Sequence, residues 1–255
     1  MNNSGTATRG RVGFIDECRG IFVILMVIYH VMYNIVYIFR VTWPFFTSDF
    51  MSVVQRIIVG SFIVIAGVSS RYSKNNIKRG FIVLAPACII TIATVYFIPE
   101  QAIYFGVLHF LGSAMILYVL IRKLLDTLPS FWGLCLMILL TFLAWGIPSG
   151  YVGLIGLYVP LPSALYSYSF LFPIGLRVPG FFSADYVPIF PWIFAFFAGA
   201  YLGVFFEQGK MPAALYKTRF PFFALIGRRA LMIYLSHQPI AFVILWIAFT
   251  GLSTG

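Results

Sequence analysis

Charge is what this chain has least of. Asp, Glu, Lys and Arg make up 9% of its 255 residues, against 61% hydrophobic and 19% aromatic residues, and so little polar surface cannot cover a soluble core. A soluble domain is excluded. Acids are scarcer than bases, seven against 17. In a soluble protein the resulting +10 balance would point to nucleic acid. Here the basic residues fall in short segments between apolar runs, the pattern that encodes membrane topology, so nucleic acid is not an expected partner. Cys18, Cys88 and Cys135 show neither paired nor metal-ligand spacing, which leaves no disulfide framework and no thiolate metal site. His30, His109 and His237 share no i, i+3 or i, i+4 spacing, so no metal is expected on a helix face. No internal repeat is visible.

What is present is a series of long apolar runs. The stretch Arg11 to Asn34, RVGFIDECRGIFVILMVIYHVMYN, packs charge at its start, and from Gly20 to Phe39 no acidic or basic residue follows except His30. About 20 residues at 1.5 Å each match the roughly 30 Å hydrocarbon thickness. The run is too long for a signal peptide and no small-residue cleavage site follows it. Further spans are expected at about 53–70, 81–98, 102–121, 131–147, 187–206 and 230–249. Glycines 60 and 67 would let another helix or a ligand approach closely. Residues 40–52, with Trp43 and three phenylalanines, read as an interfacial loop, and residues 1–10 as a disordered cytoplasmic tail. The segment 148–186 is apolar but broken by prolines and glycines, so it reads as an irregular extracytoplasmic segment, tolerated where protein or water satisfies its backbone.

The expected fold is therefore an all-α integral membrane protein of about seven transmembrane helices, a single transmembrane domain over 1–255. With the N-terminus cytoplasmic, 14 of the 17 Lys and Arg residues fall on the cytoplasmic side and only Arg40, Arg56 and Arg177 on the other. That asymmetry orients the chain and puts its C-terminus outside the cytoplasm of a cell membrane.

An ionisable group in mid-membrane is costly and marks a candidate functional site by default. His30 lies about 16 Å along the helix axis from Arg19, with Asn34 one turn further on the same face and Tyr33 adjacent. Either neighbour can orient an imidazole or bind a substrate hydroxyl. His109 lies about 19 Å from Arg122 and His237 about 12 Å from Arg229, so the three need not converge. For each histidine, a hydrogen-bonded packing role is the alternative. At the foot of the first helix, Asp16 and Arg19 at i and i+3 can pair and fix a guanidinium suited to a polyphosphate, although lipid headgroups alone would explain basic clusters. Asp185 either binds a sugar hydroxyl or caps the span that follows it.

The pattern R-(x)4-D-x-x-R-G-I at Arg11, Asp16, Arg19, Gly20 and Ile21, followed by ILMVIYH, resembles the first helix of the transmembrane acyltransferases grouped with heparan-α-glucosaminide N-acetyltransferase. FGVLHFLG at 105–112, DYVPIFPW at 185–192 followed by FAFFAGAYLG, and IGRRALMIYLSHQP at 226–239 resemble bacterial members of that group. The O-antigen acyltransferases, more distantly similar, carry a histidine at the place of His30. The heparan enzyme has asparagine there, and its own catalytic histidine lies in the loop that here reads RVTWPFFTSDF. The assignment of a base to His30 therefore rests on the O-antigen branch.

The resemblance implies an enzyme that moves an acyl group, usually acetyl, from cytoplasmic acyl-CoA to a hydroxyl or amine of a sugar at the far face. It implies His30, Tyr33 and Asn34 as catalytic residues. Arg11, Asp16, Arg19, Arg71, Lys78 and Arg79 would meet acetyl-CoA, and His109, Asp185, Trp192 and His237 the acceptor. The expected acceptor is an envelope glycan or a small amino sugar, the surroundings are membrane lipids, and the implied assembly is a homodimer. The rival reading is a proton-coupled transporter or flippase of a sugar or lipid-linked substrate.

Overall fold

The structure, a computed structural model, describes residues 12–253. Seven of its helices are long and apolar enough to cross a membrane: Gly13–Ile38, Asp49–Tyr72, Asn76–Phe97, Val107–Leu125, Ser130–Ser149, Ile189–Glu207 and Ala230–Gly251. In chain order the α-helices are α1 (Gly13–Tyr33), α2 (Asp49–Tyr72), α3 (Asn76–Phe97), α4 (Val107–Leu125) and α5 (Ser130–Leu143). After them come α6 (Ile189–Glu207), α7 (Pro221–Arg228) and α8 (Ala230–Ser253). The described residues form two compact units, 12–62 with 211–253, and 63–210. The chain is an all-α membrane protein, as its composition requires.

In the first unit α1 packs against α7 and α8. Val23, Met26 and Ile58 form a buried cluster, with Tyr29, Ile226, Ile233 and Tyr234 against it. The crossing of α1 and α7 is backbone on backbone: a side chain at Gly20 would run into the Phe223 carbonyl, and one at Gly227 into the Asp16 carbonyl. Helix α7 falls within what the sequence presents as a basic loop. It starts on Pro221, whose fixed φ suits the first helical position. The Glu17 carboxylate, 4% exposed, accepts the backbone N–H groups of Arg219 and Phe220 just ahead of it. An acid of one helix thus supplies the cap that α7 lacks in its own sequence.

In the second unit α3 packs on α4, α5 on α6, and α4 on α6. Of the two glycines expected to admit a close neighbour, Gly67 does so, against the Phe196 carbonyl of α6. Helix α3 opens on Asn75, whose side chain accepts the Lys78 N–H at 2.8 Å. It closes at Ile98, where Pro99 forces the preceding residue out of the helical region, to φ −142°. The fourth span begins at Val107 rather than at 102 because Ala102 to Gly106 is used in loop contacts: Ala184 N–H donates to the Ala102 carbonyl and Val187 N–H to that of Phe105, each at 3.0 Å. The segment 148–186 is irregular, as its prolines and glycines require. It also holds a two-stranded antiparallel hairpin, β1 (Tyr151–Leu154) and β2 (Leu157–Pro160), between short 3-10 turns.

Candidate functional site

The polar centre of the first unit is built from facing stretches of α1 and α8. His30 Nδ1 lies 2.8 Å from the Met26 carbonyl oxygen, and His237 Nδ1 lies 2.6 Å from that of Tyr234. A carbonyl only accepts, so each Nδ1 carries the proton and each neutral ring leaves its Nε2 lone pair available. The two rings meet edge to face with centroids 4.8 Å apart. Asn34, with no exposed surface, donates from Nδ2 to Gln238 Oε1 at 2.9 Å. Its Oδ1 and the Nε2 of His237 are buried with no hydrogen-bond partner among the described residues.

Two features of this site have no sequence signature. The helix widens at Asn34 into a π turn, Asn34–Ile38, with Phe39 N–H donating to the Asn34 carbonyl at 2.9 Å; such turns recur at functional sites. Gln238, next to His237, orients the Asn34 amide. The expectation that the histidines need not converge is corrected for His30 and His237, which are ring neighbours. Depth measured from the nearest arginine misled, because long basic side chains do not mark one plane. Tyr33 packs tilted against Tyr37, one turn further along, with centroids 4.7 Å apart; Tyr29 lies edge-on at His30 and Tyr234 at His237.

At the foot of α1 the expected pair is present, Arg19 Nη1 to Asp16 Oδ1 at 2.8 Å, with the Arg19 side chain 21% exposed. Arg11 lies outside the described residues. In the second unit Arg71 is tied to carboxylates, Glu207 through Nε at 2.9 Å and Asp126 through Nη1 at 2.6 Å. It ties the ends of α2, α4 and α6. Lys78 lies in the first turn of α3, and Arg79 Nη1 reaches the Ser69 carbonyl and Asn76 Oδ1, each at 3.4 Å.

The remaining candidates belong to the second unit. His109 is bonded on both nitrogens: Gly106 N–H donates to Nδ1 at 3.3 Å, and Nε2 lies 3.2 Å from Thr91 Oγ1. Thr91 spends its own proton on the Ile103 carbonyl at 2.7 Å, so Nε2 is the donor of that pair. Asp185 does cap a helix, but it is α4 rather than the span that follows: Oδ2 accepts the Val107 N–H at 2.9 Å. Trp192 packs against Trp145 with centroids 5.3 Å apart. Tyr186 donates to the Phe172 carbonyl at 2.6 Å and lies under the Arg177 guanidinium. Burial pushes its phenol up to about 12, against an opposing pull from Arg177. Among the described residues no cluster of three or more His, Cys, Asp or Glu side chains is arranged to hold a metal.

Seven helices long and apolar enough to cross a membrane define a multi-pass membrane protein. The family model for the heparan-alpha-glucosaminide N-acetyltransferase catalytic domain matches residues 11–239, nearly the whole chain and every residue of the site described above. The chain belongs to that family, and is a membrane acetyltransferase. No curated relative and no solved structure matches it.

Proposed function

We propose that the protein transfers an acetyl group from acetyl-CoA to a hydroxyl or amine of a sugar, with His30 as the general base. The reading rests on the contact of the His30 and His237 rings beside Asn34, where His237 Nε2 and Asn34 Oδ1 are buried with no hydrogen-bond partner among the described residues. An acceptor group entering the cluster brings the O–H or N–H that these atoms lack. As its oxygen or nitrogen bonds to the thioester carbonyl carbon, His30 Nε2 removes the proton. The C–S bond then breaks, and the departing CoA thiolate takes that proton as CoA-SH. His237 Nε2 and Asn34 Oδ1 hold the acceptor in line, and Gln238 keeps the Asn34 amide turned so that Oδ1 faces it. His109 and Asp185 serve as the latch at the start of α4.

The positive charge for the CoA phosphates comes from Arg19 at the foot of α1 and from Arg11, ahead of it in the sequence and outside the described residues, and Lys78 and Arg79 give the second unit a basic group of its own. This orientation, with α1 starting in the cytoplasm of the cell membrane and the sugar presented at the far face, follows the Lys and Arg asymmetry. The test is transfer of radiolabelled acetyl from acetyl-CoA to a pool of envelope sugars, with wild type and His30→Ala in nanodiscs. Labelled sugar from wild type alone supports the reading. Equal transfer by both proteins removes His30 from the chemistry. Absence of transfer together with no CoA-dependent thermal stabilisation would leave a transporter built on the same histidine pair.

A further inference from the structure

From Thr127 to Leu176 the chain contains no Asp, Glu, Lys, Arg or His, 50 residues that run from ahead of α5 through the hairpin and the 3-10 turns beyond it. A membrane-spanning helix accounts for only the first part of that stretch, Ser130–Ser149. The apolar character continues past the end of the span. On the hairpin Ile155 is 87% exposed, Leu157 82% and Val159 66%, and Phe170, in the turns beyond it, is 70% exposed, an unusual density of bare apolar side chains for a surface facing water.

The turn sharpens the problem. Leu154 pairs with Leu157, so the loop is the two residues Ile155 and Gly156, at φ +51° and +84°. A two-residue turn with both φ values positive selects Asn or Asp before Gly. A β-branched side chain in the left-handed region is strained. Here an isoleucine takes that position and points its side chain outward. Neither local conformation nor burial within the protein accounts for it.

We infer that the β1–β2 hairpin is an interfacial anchor, whose tip, Leu154 to Leu157, enters the lipid leaflet on the side where α5 ends. Its occupant is lipid because the hairpin continues, without a charged residue, from the exposed face of α5: Leu139 and Phe142 are 46% and 52% exposed on that helix. Immersion is shallow. A two-stranded sheet has open edges whose N–H and C=O groups need water or headgroups, which bars it from the hydrocarbon centre. Tyr151 and Tyr158, with ring centroids 5.0 Å apart on the strands, and the half-exposed Tyr168 give the hairpin the aromatic residues that settle at headgroup level.

The test replaces Cys18, Cys88 and Cys135 with alanine, introduces Ile155→Cys, labels it with an environment-sensitive NBD probe, and reconstitutes the protein in phosphatidylcholine vesicles. Lys210→Cys serves as the aqueous reference. The expected result is blue-shifted emission at 155, quenched by lipids brominated near the top of the acyl chain and insensitive to aqueous iodide. Emission equal to the reference and quenched by iodide would overturn the inference. So would blue-shifted emission that bromolipid leaves unchanged, since that places protein over the tip. A parallel label at Leu157→Cys, outside the turn, keeps the test open if the Ile155 variant fails to fold.

Discussion

His109 and His237 are both buried histidines on apolar helices, 8% and 7% exposed, yet they differ in everything that decides a role. Each nitrogen of His109 has a partner, and those partners close the loop before α4. His237 is fixed at Nδ1 only, its Nε2 buried and bare, with a second imidazole beside it. An unpaired acceptor is expensive to bury. Beside it stand a second imidazole and an amide oxygen likewise without a partner among the described residues, and the proposed acceptor site rests on this group. On the proposal above, the satisfied histidine serves stability and the unsatisfied one chemistry.

The contrast breaks most sharply at His30. His30→Ala is expected to lower acetyl transfer by about 10²- to 10⁴-fold, the range of a lost general base, while the thermal midpoint in nanodiscs stays near that of wild type. Next comes Gly227→Ala, which drives a methyl group into the Asp16 carbonyl. A loss of roughly 1–3 kcal/mol in stability is expected for such overpacking, with transfer falling because the site is carried by the helices of the same unit. Thr91→Val removes the acceptor of His109 Nε2 and the donor to the Ile103 carbonyl. It should cost roughly 1 kcal/mol, the scale of an interhelical hydrogen bond in a bilayer, and leave transfer per folded molecule unchanged. If Thr91→Val abolished transfer without lowering the midpoint, the division between the two histidines would collapse.

A further effect is a pH dependence. The Tyr186 phenol is raised to about 12 in the folded chain, from an ordinary value near 10. The folded state therefore holds its proton more tightly than the unfolded chain. This contribution is whole below about pH 10 and is lost as pH rises toward 12. Alkaline melts of wild type should fall over that window, and Tyr186→Phe should flatten the fall.

The seven spans were legible because length and hydropathy decide them. Asp16 and Arg19 were legible because i, i+3 pairing is local. His30 and Asn34 were legible as one face of one helix. Their partners were not: Asn34 and Gln238 are 204 residues apart, and no local periodicity brings α8 to α1. Glu17 was hidden for a related reason, since the helix it caps lies in a stretch that reads as a basic loop. The hairpin escaped because its composition matches that of the spans around it, and only its backbone turns set it apart.

The π turn at Asn34 sets the azimuth of the first span. In a regular α-helix each residue advances about 100°, so five residues after Asn34 the chain would point roughly 140° away. The wider turn returns Phe39 over Asn34, and Phe39 stacks on Phe249 at 4.7 Å and meets Phe242 at 6.0 Å. One added peptide unit thus lets a single edge of the helix face α8 twice, first as a polar seam at His30 and Asn34, then as an aromatic zipper that seals the seam's end.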